Sequence, residues 1–324
     1  MRAAFLVDKQ NFKAYCHEIP TGWEIVHFGN GDYKPEDLTA TGAQAVLIDP
    51  MLPLNGKTIE RMKELKIIQS FGVGYNQIDL QAADAAGVYV CNNAGVNAAA
   101  VAEQTILLML AVLRKYHEAE VMTYSARQGE FKGRCFAQGL KELGECKVGL
   151  VGLGAIGKET AVRLAAFGCR VCYYKPHRLP EPNPWQAAYS GLDELLASCD
   201  IVSLHLPVNA ETVNIINDQT IGRMKDGAIL INTSRGELVD QEAVCRALEN
   251  GKLGGFGADT LAPEPVQSDN PIINLPEELR NRVALSPHIG GITSGTFHRS
   301  YRNAIENMEK ALRGERPEHV VNSL

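Results

Sequence analysis

The chain has 324 residues, 45% of them hydrophobic and 22% charged, which exceeds one ordinary core and predicts two domains of normal globular composition. Its net charge of −6 comes without a long run of either sign, which argues against a nucleic acid or a membrane surface as partner. The eight cysteines are scattered, and Cys169-x-x-Cys172 has no second pair to complete a zinc site, so reduced thiols, no metal and a cytoplasmic location are expected.

The apolar part of Met1 to Asp8 is too short for a signal peptide and reads as a first β-strand. Strand-like runs follow at residues 24–28, 45–48, 67–69 and 88–91, with helical character at 58–65 and 80–86. Continuous apolar strands separated by helices indicate a parallel α/β sheet. Within this region Gly72-Val73-Gly74-Tyr75-Asn76 follows a strand. Ligands of open parallel sheets bind beyond the carboxyl ends of strands, so the loop reads either as a backbone anion site around Val73 and Gly74 or as a plain glycine-rich turn.

Residues 97–113 are apolar but interrupted by Glu103, Gln104 and Thr105, which predicts a buried helix crossing between domains rather than a membrane span. Residues 114–146 have weaker periodicity and several cations, and are expected to form a surface arm facing a partner.

A short apolar strand then delivers the backbone into Gly152-Leu153-Gly154-Ala155-Ile156-Gly157, and a helix follows at 158–167. The three glycines serve different purposes. Gly152 makes the turn, Gly154 lets backbone approach a pyrophosphate, and Gly157 lets helix and strand pack closely. The helix start, at Ala155 and Ile156, offers N–H groups and a positive dipole end to phosphates. Further strands at 170–174, 201–206, 228–232, 254–259 and 283–285 complete a dinucleotide-binding sheet, covered by helices at 192–197, 217–224 and 241–250. A last helix at 294–313 leaves that domain and is expected to pack on the first.

An NAD site normally ends its second strand with an acid on the adenosine ribose. Here the strand ends Tyr174-Lys175-Pro176-His177-Arg178, where Lys175 and Arg178, helped by His177, would attract a 2′-phosphate. NADP is therefore favoured over NAD, the alternative being a solvated basic loop.

Three further positions stand at predicted strand ends. Arg235 follows Asn232-Thr233-Ser234, Glu264 follows Asp259-Thr260, and His288 lies in Ser286-Pro287-His288-Ile289-Gly290-Gly291. Together they suit reduction of a 2-oxo acid, with Arg235 as a planar fork for the carboxylate, His288 as proton donor and Glu264 as the group orienting the imidazole. Singly, each has a plainer reading as a salt bridge, an exposed loop acid or a core histidine.

These motifs, with Gly72 to Asn76 and Val101-Ala102-Glu103-Gln104-Thr105, resemble the D-isomer-specific 2-hydroxyacid dehydrogenase family over most of the chain. The resemblance implies two doubly wound parallel-sheet domains, with a Rossmann cofactor domain (residues 99–291) inserted into a smaller flavodoxin-like substrate domain (1–98 plus 292–324). It implies Arg235, Glu264 and His288 as the catalytic set, Asp259 at the nicotinamide end, and Thr105, Pro207, Thr233 and Gly290 lining the cofactor. It further implies that Val73 and Gly74 help hold the substrate carboxylate, that the protein is a homodimer, and that the domains close over a small-molecule substrate. Lys175 departs from the usual acid, and Gln104 stands where a histidine is frequent, a change with no reading from sequence.

Met51, Leu52 and Tyr75 are expected to shape an apolar substrate pocket, leaving glyoxylate, hydroxypyruvate, pyruvate and branched 2-oxo acids open. The competing readings are oxidation of another small anion such as phosphite, and a dinucleotide-sensing, corepressor-like binding protein without turnover.

Overall fold

The computed structural model describes residues 1–31, 33–180 and 183–324. The chain divides into two compact units, Met1–Asn97 with Ile292–Leu324, and Ala98–Gly291. Each has its own parallel sheet and cores.

The first unit is built on β1 (Arg2–Leu6), β2 (Glu24–His27), β3 (Ala45–Ile48), β4 (Ile67–Ser70) and β5 (Tyr89–Cys91), in the order β2-β1-β3-β4-β5, the flavodoxin-like order. All its pairings are parallel. β3 is buried at all four positions, as its unbroken Ala-Val-Leu-Ile run requires of a strand covered on both faces. The helix Ser294–Leu312, N-capped by Thr293, covers one face, placing Tyr301, Ala304 and Met308 against Phe5, Leu47 and Ile67. The helix expected at 58–65 runs instead over Gly56–Arg61, because Asn55 caps it by accepting from Thr58 N.

The second unit holds β6 (Lys147–Val151), β7 (Arg170–Tyr174), β8 (Ala187–Tyr189), β9 (Ile201–Leu204), β10 (Ala228–Asn232), β11 (Leu253–Ala258) and β12 (Val283–Leu285). Their order, β12-β11-β10-β9-β6-β7-β8, is the doubly wound Rossmann order with one strand added, and the strand order reverses between β6 and β9. β9 ends at Leu204, two residues before the expected end, and Pro207, which has no N–H to donate, follows. β8 has no counterpart among the expected strands; it is a three-residue edge strand without an apolar run.

The apolar helix Ala98–Leu113 is part of this second unit rather than a crossover element of its own. It lies on β11, whose glycines make room for it: a methyl on Gly257 would come within 3.1 Å of Leu108 Cβ, and one on Gly255 would collide with Val112. The expected arm at 114–146 contains two helices, Tyr116–Tyr124 and Gln128–Gln138, that leave Tyr124 and Phe136 more than four-fifths exposed. Among the described residues no helix is long and apolar enough to cross a membrane.

Candidate active site

The glycine turn follows β6 at the point where the strand order reverses. Gly152 has φ 105°, and a methyl there would strike the carbonyl oxygen of His205, just past β9. A methyl on Gly157 would sit 2.5 Å from the Gly152 carbonyl oxygen. Gly154 differs, since a methyl on it would meet no atom of the described residues within 4 Å. No packing among them requires a glycine there, which fits a position kept open for the backbone to approach a pyrophosphate. The helix Ala155–Ala166 starts at Gly154 without a side-chain cap, so the N–H groups of Ala155 and Ile156 have no partner from their own helix. Uncapped amides, a positive dipole end and open space fit a dinucleotide.

His205 supports this turn. Its N–H donates to Val151 O at 2.8 Å, its Nε2 is 3.0 Å from Ser203 Oγ, and its Nδ1 is shut off from solvent without a partner. Burial pushes its imidazole down to about 4, so the ring is neutral near pH 7.

At the end of β7, Leu179 N donates to the Tyr173 hydroxyl at 3.0 Å, folding the basic loop back over the strand. Lys175 is half-buried and His177 exposed, while the Arg178 guanidinium lies 5.6 Å from the Tyr189 ring centre. The three basic side chains therefore share one loop, with Arg178 drawn toward an aromatic face.

β10, β11 and β12 are neighbours and parallel, so the residues just past their carboxyl ends gather at one sheet edge. Asn232 shapes the first of these turns, accepting from Ser234 N at 3.0 Å and donating to Arg235 O at 2.8 Å. Arg235 donates to Ser234 O at 2.7 Å, and among the described residues no carboxylate pairs with it. Its planar fork therefore has donors to spare for an anion.

Past β12, His288 has φ 55° and donates its N–H to Asp259 O at 2.7 Å. Its Nδ1 lies 2.9 and 3.0 Å from the two carboxylate oxygens of Glu264. An ionised carboxylate only accepts, so Nδ1 carries the proton and Nε2 is left to exchange one with a ligand. The pair is about two-fifths exposed, not a satisfied core histidine.

Asp259 is buried and accepts from Ser286 Oγ at 2.5 Å, Ile289 N at 3.0 Å and Gly290 N at 2.8 Å, fixing the loop that carries His288. A methyl on Gly290 would come 2.8 Å from that carboxylate. Gln104, which had no reading from sequence, donates from Nε2 to Ser286 Oγ at 2.8 Å and so supports the same network. Thr105 gives its hydroxyl proton to Val101 O at 2.8 Å and therefore accepts from Thr233 Oγ1 at 2.9 Å. Pro207, exposed past β9, accepts from Thr212 Oγ1 at 2.7 Å.

In the first unit, Val73 and Gly74 are exposed, and among the described residues no protein acceptor takes their N–H groups. Of the residues expected to shape a pocket, Met51 is exposed, whereas Leu52 and Tyr75 pack against the core beneath. Both keep part of their surface exposed, and Met51 is the most exposed of the three.

Comparison with known proteins identifies the family. Residues 106–290 match the family model described as "D-isomer specific 2-hydroxyacid dehydrogenase, NAD binding domain". The chain is 35% identical over 274 residues to a glyoxylate reductase of Thermofilum pendens, covering 83% of this chain and 78% of that one. It is 36% identical over 273 residues to a glyoxylate reductase of Thermococcus litoralis, covering 82% and 79%. The crystal structure of D-lactate dehydrogenase with NAD+ from Lactobacillus jensenii superimposes with a TM-score of 0.86 at 26% identity, over 99% of this chain and 100% of that one. With the family model spanning more than half of the residues, the chain belongs to the D-isomer-specific 2-hydroxyacid dehydrogenases and is a nicotinamide-dependent enzyme of that family.

Proposed function

We propose that the enzyme interconverts a small 2-oxo acid and its D-2-hydroxy acid, with His288, Glu264 and Arg235 as its catalytic residues. The observation that carries this reading is the Glu264 to His288 pair, which leaves Nε2 for a ligand, at the same sheet edge as an Arg235 that has no carboxylate partner among the described residues. A bound nicotinamide supplies or accepts the hydride. His288 gives its Nε2 proton to the carbonyl oxygen during reduction and takes it back during oxidation, while Glu264 holds the ring in place. Arg235 binds the carboxylate and polarises the carbonyl, and the N–H groups of Val73 and Gly74 serve as carboxylate donors of the first unit.

The cofactor lies against Gly152, Gly154, Ala155, Ile156 and Gly157, with Thr105, Pro207, Thr233, Asp259 and Gly290 lining its nicotinamide half. Lys175, His177 and Arg178 select NADP over NAD, supported by the absence of any acid in that stretch of loop. The glyoxylate reductases among the relatives make glyoxylate the first substrate to try, with hydroxypyruvate, pyruvate and branched 2-oxo acids after it. The exposed Tyr124 and Phe136 support a homodimer formed through residues 116–138, and the eight free thiols suit a reducing cytoplasm.

The test is steady-state oxidation of NADPH and NADH with a panel of 2-oxo acids, using wild type and His288→Ala. Turnover that favours NADPH and drops about 10²- to 10⁴-fold in the variant is expected. Tight cofactor binding with no turnover on any 2-oxo acid would defeat the reading. Lys175→Asp should reverse the cofactor ratio, and Phe136→Asp should halve the mass seen by light scattering.

A further inference from the structure

The glycine loop of the first unit is held from behind by side chains that the proposed mechanism leaves unused. In a trans peptide the carbonyl of one residue and the N–H of the next point in opposite directions, so fixing one fixes the other. Four consecutive carbonyls are taken: Phe71 O by Asn93 Nδ2 at 2.8 Å, Gly72 O by Asn93 N at 2.9 Å, Val73 O by Asn92 Nδ2 at 2.8 Å, and Gly74 O by Ser70 Oγ at 2.6 Å. The N–H groups of Gly72, Val73, Gly74 and Tyr75 are thereby all turned away from these donors, and among the described residues no protein acceptor takes them. Successive N–H groups set this way form a concavity for an anion.

The tethers are themselves secured. Asn92 accepts from Ala94 N at 3.2 Å through Oδ1 and donates its own N–H to His319 O at 3.2 Å. Ser70 and Asn93 are fully buried and Asn92 nearly so, which leaves little room for water to substitute for a lost donor.

We propose that Asn92 and Ser70 are positioning residues for the substrate carboxylate, Asn92 by setting the Gly74 N–H and Ser70 by setting the Tyr75 N–H as a further donor. This rests on the reading that the loop amides hold that carboxylate. Neither side chain touches the substrate. An aspartate at 92 would keep the size and the acceptor for Ala94 N, but would set an oxygen against the Val73 carbonyl. The peptide would then turn over and show the anion an oxygen instead of an N–H.

The test measures KM and kcat for glyoxylate and for its uncharged methyl ester in wild type, Asn92→Asp and Ser70→Ala, with the Kd for NADPH. The KM for glyoxylate should rise about tenfold or more in Asn92→Asp and about threefold or more in Ser70→Ala, with kcat and cofactor affinity held within about twofold. The ester should be unaffected, so the preference for acid over ester shrinks by the same factor. Unchanged KM and an intact acid preference in both variants would overturn the inference and leave the carboxylate reading standing. Equal kcat/KM for acid and ester in wild type, or no turnover of either, would defeat both. If Asn92→Asp does not fold, Ser70→Ala decides the matter by the same ratio. A parallel fall of kcat and cofactor affinity would mean a structural role only and would also overturn it.

Discussion

Two glycine loops in this protein leave backbone N–H groups free for anions, and they achieve it by different means. At Gly152 to Gly157 the N–H direction comes from the helix that starts there, and the glycines are needed because two of them press against the Gly152 or His205 carbonyl. At Gly72 to Tyr75 no helix follows directly, and the direction comes from donors on Ser70, Asn92 and Asn93 that hold each carbonyl in turn. One loop is oriented by geometry inherent in the chain, the other by distant side chains. Glycine is thus a strict packing requirement at Gly152 and Gly157 and a looser one at Gly74.

The largest expected effect breaks the first loop. Gly152→Ala adds a methyl into a carbonyl at a φ that L-residues avoid, and should cost about 3 kcal/mol or more of stability together with cofactor binding, read by denaturant unfolding and calorimetric titration. The next effect acts on the support beneath it. His205 titrates at about 4 in the folded protein against 6.5 for a free imidazole, so between these values the unfolded chain binds more protons. Stability should fall as pH drops from 6.5 to 4, by on the order of 2–3 kcal/mol, and His205→Gln should flatten that slope. A wild-type slope retained in the variant would assign it elsewhere.

Gly154→Ala sharpens the contrast, since it should leave stability within about 0.5 kcal/mol while weakening NADPH binding about tenfold or more. Equal loss of both would mean that the open space serves folding. The smallest effect belongs to the other loop: a methyl on Gly74 meets Pro50 at an ordinary 3.5 Å, so Gly74→Ala should change the KM for glyoxylate less than about threefold.

The same contrast explains what was legible in the sequence. The Rossmann turn could be read because its requirements fall on three glycines within six residues, between a strand and a helix. Arg235, Glu264 and His288 could be found because parallel strands deliver their successors to one edge, and the strands were visible as apolar runs. The tethers of the second loop were hidden, as Asn92 and Asn93 lie about 20 residues from the carbonyls they hold and nothing local marks them. Gln104 was hidden for the same reason, its partner Ser286 being 182 residues away. The core role of Leu52 and Tyr75 was not legible, because an apolar residue beside a site serves a core and a pocket equally well on paper. The helices at 116–138 escaped because their apolar side chains face outward, which blurs the periodicity of a buried face.

The notch that Gly255 and Gly257 cut for the helix Ala98–Leu113 also has a cost in time. During synthesis that helix is complete roughly 140 residues before the strand that receives it emerges. At ribosomal rates of about 5–20 residues per second, Leu108 and Val112 wait on the order of ten seconds without that cover. The first unit waits longer still, because Phe5 and Ile67 are covered by the helix Ser294–Leu312, more than 220 residues beyond Ile67. Both sheets are thus finished by partners far away in sequence, which raises contact order, slows folding and leaves apolar surface uncovered in the nascent chain.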